Sequence, residues 1–176
     1  VFSSVGPFTL AYLMAAHSGN NLLYRDSIYT YLHLQYNGFF SLSVFALFIN
    51  ALYKKLDAAQ LIKMRRFAIT VSISIFPTLF ISYLWHYTNA GVRIMAIMGS
   101  LSIVVTVVML LNALRAIKEH LLAVPRFTGN IGLLSVTAFL LKSILQTGTI
   151  FPKLGTMVYG DRAIIIGYLH LVLLGF

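Results

Sequence analysis

The chain has 176 residues, of which 59% are hydrophobic and only 10% are charged, and this composition excludes an ordinary water-soluble domain, which needs far more charged surface. The net charge of +9 does not indicate a nucleic-acid partner, because the basic residues lie in short segments between apolar runs, where the Lys and Arg residues of membrane proteins collect. The absence of cysteine excludes disulfides, thiolate metal sites and iron–sulfur clusters, so a metal or haem would need histidine, methionine or oxygen ligands.

Six apolar segments predict an all-α fold, a polytopic bundle of about six transmembrane helices in a single transmembrane domain over residues 1–176. About 20 residues of helix cross the hydrocarbon core, at a rise of about 1.5 Å per residue. In chain order the predicted spans are roughly Phe2–His17, Ser27–Tyr53, Phe67–His86, Arg93–Leu114, Ile131–Gly148 and Arg162–Phe176. Pro77 should kink the third span. Because the chain begins and ends inside apolar runs, we expect it to be a piece of a longer chain.

The distribution of basic residues predicts the orientation in the bilayer. The loops after the second and fourth predicted spans hold eight of them, Lys54, Lys55, Lys63, Arg65, Arg66, Arg115, Lys118 and Arg126. The opposite side holds four, Arg25, Arg93, Lys153 and Arg162. Because basic loops stay in the cytoplasm, we expect a multi-pass protein of the inner (cytoplasmic) membrane, surrounded by lipid, with a cytoplasmic N-terminus. The aromatic residues Tyr83, Trp85 and Tyr87 would then lie at the outer interface.

The second and sixth predicted spans begin with similar sequences. Residues 25–39 and 162–176 align without a gap, and eight of the fifteen positions are identical: Arg, Ile, Tyr-Leu-His-Leu and Gly-Phe. The two copies lie four spans apart and run in the same direction, which predicts a four-helix internal repeat. Each histidine, His33 or His170, lies eight residues after its arginine, about 12 Å further along the helix. We therefore expect the two spans to be adjacent or to face a common cavity, with both imidazoles at one depth.

Two interpretations of these histidines stay open in the sequence. An ionisable residue inside a membrane span is a functional candidate, and histidine is the commonest metal ligand. A polar side chain of a span also serves simply to hydrogen-bond a neighbouring helix. The repetition favours the ligand interpretation. Gly38 and Gly175 have a similar pair of interpretations, the approach of a flat cofactor or close helix packing, and packing alone is sufficient to explain them.

The repeated string resembles that of a known superfamily. Haem–copper oxidase catalytic subunits consist of twelve helices in three four-helix repeats, with ligand histidines on the second, sixth and tenth helices. The segment Tyr31-Leu-His33-Leu-Gln35-Tyr-Asn-Gly38-Phe39 is similar to the His-x-x-x-x-Gly-aromatic pattern of NnrS-type haem- and copper-containing membrane proteins, and residues 168–176 are similar to it too. The resemblance covers about half of such a roughly twelve-helix fold.

The resemblance implies a cofactor and a set of site residues. The cofactor would be b-type haem, copper or both, with His33 and His170 as metal ligands. Arg25 and Arg162 would pair with haem propionates or serve as interfacial anchors. A redox partner at the outer face and a role in electron transfer or in nitric oxide or oxygen metabolism would follow, and enzymatic activity stays open. The oxidase sixth helix carries His-Pro-Glu-Val-Tyr, whereas His170 is followed by Leu-Val-Leu-Leu, which argues against dioxygen reduction.

A ligating histidine needs a partner for its second ring nitrogen. For His33 the candidates are Gln35, Asn37 and a backbone carbonyl of a neighbouring helix, and these surroundings are more polar than those of His170. Two other classes of function stay as alternatives, a multi-span transporter built from repeats and a structural subunit without a cofactor.

Three further polar residues lie in or at the ends of the predicted spans. His17 and His86 end the first and third predicted spans, where a solvated interfacial role is more common than a ligand role. Lys142 lies inside the fifth predicted span, six residues from Gly148. We expect it to snorkel outward along the helix rather than to serve a proton path or an anionic group.

Overall fold

The computed structural model describes residues 2–86 and 89–175, and within these ranges the regular structure is entirely helical, which confirms the predicted all-α class for the described residues. In chain order the helices are α1 (Val5–Ala15), α2 (Asn21–His33), π1 (Leu34–Phe40), α3 (Ser41–Leu52), α4 (Ala58–Leu79), α5 (Ala90–Ala116), α6 (Lys118–Leu122), α7 (Arg126–Gly148), α8 (Pro152–Gly160), α9 (Arg162–His170) and π2 (Leu171–Gly175). The segments π1 and π2 are π-helical, with i→i+5 hydrogen bonds and wider turns. Short 3₁₀ turns lie at Phe2–Ser4, Tyr53–Lys55 and Phe80–Tyr83.

Four helical stretches are long and apolar enough to cross a membrane. They are Asn21–Lys55, which joins α2, π1 and α3, and Ala58–Tyr83, Ala90–Ala116 and Arg126–Gly148. At about 1.5 Å per residue they extend over about 35 to 50 Å, more than the hydrocarbon core of about 30 Å. Large apolar side chains such as Leu47, Ile73 and Leu101 are exposed on their outer faces, as lipid-facing side chains are. These stretches correspond to the second to fifth predicted spans.

The first and last predicted spans differ from expectation. Helix α1 has 11 residues, about 16 Å, which is too short to cross the hydrocarbon core by itself. In place of a straight sixth span, α8 is followed by α9 and π2 at a bend of 90°. The bend lies at Asp161, whose extended backbone ends α8 and whose carboxylate accepts a hydrogen bond from the backbone N–H of Ala163 at 2.8 Å, capping α9. Residues 2–86 and 89–175 thus contain four candidate spans, or five with the bent pair, and neither six spans nor a four-helix repeat is confirmed.

The basic segments are helix ends rather than loops. Asp57 starts α4 with a capping box, in which its carboxylate accepts from the Gln60 N–H at 2.7 Å and the Gln60 side chain accepts from the Asp57 N–H at 3.1 Å. Helix α4 therefore begins earlier than the sequence predicted, and its first turns carry basic residues that are exposed. The Gln60 side-chain amide also donates to the carbonyl of Ala116 at the end of α5, at 2.9 Å. This bond brings the two basic segments to the same end of the bundle.

The aromatic part of the core lies toward this basic end. Phe45 of α3 contacts Phe67 of α4 and Phe139 of α7 edge to face, with ring centroids 4.7 and 5.2 Å apart. Helices α4 and α5 pack along their length and approach closely at Gly99, where a Cβ atom would lie 2.5 Å from the carbonyl oxygen of Pro77. Helix α4 continues two residues past Pro77 before it tightens into a 3₁₀ turn. The two larger cavities lie toward the opposite end of the bundle.

Candidate functional site

The two copies of the sequence repeat share an unusual backbone. In the first copy α2 ends at His33 and π1 follows directly, and in the second copy α9 ends at His170 and π2 follows directly. π-helical turns are rare and occur frequently at functional sites. The alignment therefore corresponds to a local structural repeat, although the sequence did not predict either π-helix. Phe176, the last position of the alignment, lies outside the described residues.

His33 is buried, and protein atoms engage both of its ring nitrogens. Its Nδ1 lies 3.1 Å from the side-chain nitrogen of Asn37, and its Nε2 lies 3.0 Å from the carbonyl oxygen of Ile75 and 3.3 Å from Oγ1 of Thr78. Since an amide nitrogen donates and a carbonyl oxygen accepts, the ring is the neutral tautomer with its hydrogen on Nε2. Asn37 and a carbonyl of a neighbouring helix are among the partners that the sequence predicted. In this placement His33 acts as a hydrogen-bonding residue, and its ligand role stays a prediction.

His170 has a different environment from its repeat partner. Its side chain is exposed, and its Nδ1–H donates to the carbonyl oxygen of Ile166, one turn earlier, at 2.8 Å. This bond fixes the tautomer and leaves Nε2 for an external partner, as second-shell carbonyls do for metal-bound histidines. Among the described residues there is no group of three or more His, Cys, Asp or Glu side chains that could hold a metal ion. The equal depth of the two imidazoles stays a prediction.

An apolar cavity of about 330 Å³ lies between the two repeat segments. We call it the apolar cavity. His33 and Asn37 line it from the first repeat, and Tyr168 and Leu171 line it from the second. Residues of the second and sixth predicted spans thus line one cavity, as the sequence predicted, whereas the sixth span itself is not confirmed. His33 lies at its wall, whereas His170 is not among the lining residues.

A second cavity of about 460 Å³, which we call the arginine cavity, adjoins the first. Thr149 and Tyr159 line both, and Arg25 and Arg93 line the arginine cavity. The guanidinium of Arg25 lies 4.3 Å from the ring centroid of Trp85. Its Nη2 donates to the hydroxyl of Tyr29 at 2.9 Å and to the carbonyl oxygen of Tyr159 at 2.8 Å. These contacts hold a cation at the junction of the two cavities.

The other charged residues of the two repeats have separate roles. Asp26 is buried, accepts a hydrogen bond from Trp85 Nε1 at 2.9 Å and lies 3.6 Å from His86 Nε2. We call Arg25, Asp26, Tyr29, Trp85 and Tyr159 the Arg25 cluster. Arg162 is exposed in the first turn of α9 and lines neither cavity, so the structure does not bring the two repeat arginines to one site.

Lys142 does not snorkel outward, and that expectation is wrong. Its side chain is only 5% exposed, and its Nζ lies 5.3 Å from the ring centroid of Phe139 on the same helix. The side chain lies on the inner side of α7, which packs against α5. There it lines a small cavity of about 40 Å³, which we call the inner chamber. Asn37 and Gln146 line both the inner chamber and the apolar cavity.

The remaining candidates take structural positions. His17 is exposed in the turn after α1, with a left-handed backbone at φ 47°. A Cβ atom on Gly175 would lie 2.8 Å from Cβ of Ala138, which favours the packing interpretation for that glycine, whereas Gly38 has room for a methyl group. The hydroxyl of Tyr83 forms a hydrogen bond with Oγ1 of Thr30 at 2.6 Å. Tyr83 therefore contacts α2, as Trp85 does through its hydrogen bond to Asp26. Tyr87 lies outside the described residues.

Sequence reasoning missed α8 and its contribution to the site. Tyr159 of α8 donates its hydroxyl hydrogen to the carbonyl of Ile81 at 2.7 Å and offers its own carbonyl to Arg25. A signal was present in the sequence, because Pro152 suits the first turn of a helix and Asp161 suits the N-cap of the next. Read together, they predict two short helices in place of one loop and one span.

A comparison with protein-family models, curated proteins and solved structures found no match to this chain. The likeness to the haem–copper superfamily therefore rests on the quoted residues.

Proposed function

We propose that this protein binds an amphipathic organic anion within the membrane, as a multi-span carrier does. The acidic group of the ligand would lie at Arg25 and its hydrocarbon body in the apolar cavity. The observation that supports this most directly is the junction of an apolar cavity of about 330 Å³ with a cavity lined by two arginines.

The Arg25 cluster suits an acidic group. Its guanidinium is held against the Trp85 ring and bonded through Nε and Nη2 to Tyr29 and through Nη2 to Tyr159. Among the described residues no acceptor for Nη1 is found, so its two N–H groups are left to donate to an oxygen of a carboxylate or phosphate. Arg93 lines the same cavity and adds a second positive charge. Asp26 is directed to Trp85 and His86, and no hydrogen bond joins its carboxylate to Nη1.

The helices around the cavities also suit a carrier. The pair α8 and α9 is broken at 90° beside both cavities. Discontinuous helices at a binding site are typical of secondary transporters, because their termini and irregular backbone contact the solute. The local repeat of α-helix, histidine and π-helix on the two sides of the apolar cavity agrees with a repeat-built carrier.

Fluorescence of the single tryptophan tests this function. Trp85 is the only tryptophan of the chain and touches Arg25. We expect dibromostearate, added to the purified protein in nanodiscs, to quench Trp85 saturably, because bromine would lie in the adjoining apolar cavity. Arg25→Gln should weaken this binding about 10- to 100-fold, as expected for the loss of a charge-assisted hydrogen bond.

Two controls make the outcome decisive. Arg126→Gln, at the opposite end of the bundle, should leave the affinity unchanged, and the methyl ester of dibromostearate should bind independently of Arg25. Quenching that never saturates, or equal affinity of the acid for wild type and Arg25→Gln, would contradict the proposal.

A second candidate function follows from the geometry of His170. Its Nδ1–H bond to the Ile166 carbonyl is the arrangement that orients an axial ligand. Haem is itself an amphipathic anion, and the sequence resemblance implies haem, copper or both. His170 suits this role better than His33, whose ring nitrogens are both bonded within the protein. A copper site would need further ligands close to His170. Electron transfer with a partner at the outer face belongs to this candidate.

The absorption spectrum and metal content of the purified protein test the second candidate. A haem protein should show a Soret band that is lost in His170→Ala. Retention of the band in His170→Ala and its loss in His33→Ala would instead favour His33, after reorientation of its ring. Wild-type protein without haem or copper would end this candidate and leave the carrier proposal untouched.

A further inference from the structure

The inner chamber lies among four segments of the bundle and contains a buried basic residue. Lys142 of α7 faces side chains from π1 and α3, α4 and α5 across a volume of about 40 Å³. Ser41 is 1% and Thr106 is 3% exposed, so these two residues are shielded from lipid. The chamber has room for about three or four water molecules, at about 10–15 Å³ of such volume for each.

The hydroxyl groups of the chamber offer lone pairs rather than hydrogens. Each of them donates its hydrogen to a carbonyl of its own helical stretch, at distances of 2.7 or 2.8 Å. The bonds run from Ser41 to Tyr36, from Ser74 to Val71, from Thr78 to Ser74, from Thr106 to Ser102 and from Ser143 to Phe139. The side-chain oxygen of Asn37 is also buried and has no hydrogen-bond partner among the described residues. The chamber therefore presents acceptors and requires donors, which an ammonium group and water supply.

The chamber has no carboxylate to neutralise Lys142. The acidic residues of the chain are Asp26, Asp57, Glu119 and Asp161, and none of them lines it. A buried charge without a counter-ion needs strong solvation. The hydroxyl oxygens would solvate a cation, as enclosed water would, and the hydroxyl oxygens would repel an anion.

The chamber communicates with the Arg25 end of the protein. Asn37 and Gln146 form the partition between it and the apolar cavity, and the apolar cavity adjoins the arginine cavity. The titratable groups near this partition are His33, whose nitrogens are bonded to Asn37 and Ile75, and Tyr168, whose hydroxyl lies 3.4 Å from Gln146 Oε1. The chamber residues of α3, α4 and α5 carry no titratable group.

We propose that the inner chamber is a hydrated proton-binding site, in which Lys142 holds the proton and to which water has access from the Arg25 end through the apolar cavity. A hydronium ion in the cavity gives its proton to the amine lone pair of Lys142, an N–H bond forms, and a water molecule remains. The reverse step returns the proton to the same side.

Silver ions, which are small and react with thiolates, test the access of water. The chain has no cysteine, so single cysteines can be introduced without background. Ser74 lines the chamber, whereas Ser72, two residues away on α4, is exposed on the surface of the bundle. The two serines are otherwise matched, because each hydroxyl donates to a carbonyl of its own helix. Ag⁺ is added to proteoliposomes at the Arg25 end, and the rate at which each introduced thiol reacts with it is measured. The thiol of Ser74→Cys should react at least about tenfold faster than the thiol of Ser72→Cys, because only thiols that contact water ionise. Equal rates, or faster reaction of Ser72→Cys, would overturn the proposal.

The protonation of Lys142 is tested by NMR of protein labelled at the lysine ε-carbon. The Lys142→Gln variant serves only to assign the Lys142 signal. The Lys142 signal should titrate reversibly between about pH 5 and 11, and Gln146→Leu, which makes the partition apolar, should slow its exchange with solvent. A Lys142 signal that does not move over this range, while the other lysines titrate, would also overturn the proposal. Neither experiment involves an amphipathic ligand, so a negative result leaves the carrier function standing.

Discussion

At the scale of single residues, identical sequence has led to different chemistry in the two repeats. His33 is enclosed by α2 and α4 and has both nitrogens bonded, whereas His170 is exposed and has one nitrogen bonded to its own helix. The difference comes from the flanking side chains. Asn37 follows His33 by one turn, while the equivalent position after His170 is Leu174, which cannot bond a ring nitrogen.

We predict that His33 stabilises the protein and that His170 does not. His33→Ala should lower the free energy of unfolding by about 2–4 kcal/mol, because it opens a cavity and leaves Asn37 without its partner. His170→Ala, at an exposed position, should change it by less than about 0.5 kcal/mol. Unfolding in mixed micelles with increasing SDS measures both. Equal stability of the two variants would contradict the hydrogen-bonding role of His33.

At the scale of helices, the contact of α4 with α5 depends on one residue without a side chain. Gly99 is buried beneath the backbone of Pro77 and Thr78, and the atoms that a methyl group would meet belong to backbone, which cannot turn away as a side chain can. Gly132 on α7 is also helical but has no atom within 4 Å of the place where its Cβ would lie.

The pair Gly99 and Gly132 gives a matched prediction. Gly99→Ala should destabilise the protein by about 1–3 kcal/mol through overpacking. Gly132→Ala should be neutral or stabilising by up to about 1 kcal/mol, because alanine favours the helix. Thermal unfolding followed by circular dichroism compares them, and a stabilising Gly99→Ala would show that the two helices are less close than described.

The start of α4 gives a second prediction at this scale. Asp57→Ala removes the carboxylate that accepts a hydrogen bond from the Gln60 N–H, and with it the capping box. The free energy of unfolding should fall by about 0.5–2 kcal/mol. Asp57→Asn keeps an acceptor at the N-cap and should cost less. The same thermal unfolding measurement separates the two variants, which should rank wild type, Asn and Ala in falling order of melting temperature.

At the scale of the whole molecule, the charges divide between the two ends of the bundle. The Gln60–Ala116 bond brings the start of α4 beside the end of α5, so the eight basic residues predicted to face the cytoplasm gather at one end. The Arg25 cluster and both larger cavities lie away from that end. The proposed orientation therefore opens the cavities to the outer side.

Cysteine labelling from one side tests that orientation. Ala59 is exposed in the first turn of α4, and its side chain takes no part in the capping box, whereas Ser18 is exposed in the turn after α1. In whole cells an impermeant maleimide should label Ser18→Cys and leave Ala59→Cys unlabelled until the membrane is opened. The opposite pattern would reverse the orientation and place the cavities on the cytoplasmic side.

Composition and hydropathy were sufficient to predict the helical membrane fold, because apolar length alone decides whether a helix can cross a bilayer. The bend at Asp161 was missed because the predicted fifth and sixth spans left residues 149–161 as a connecting loop, whereas helix α8 forms there and Asp161 caps the start of α9. Of the site, the sequence predicted that both repeat segments line a common cavity, and it predicted Asn37 and a backbone carbonyl as hydrogen-bond partners of His33. It did not predict the burial of Lys142, since the direction of a side chain depends on which helices pack around it.

The paired π-helices also change the direction of the side chains that follow them. A π-turn closes its hydrogen bond over one residue more than an α-turn, so side chains beyond it are rotated about the helix axis relative to an uninterrupted α-helix. In both copies the π-helix begins directly after the histidine. The face on which each histidine lies therefore does not continue along the rest of its helix at the usual spacing of three or four residues.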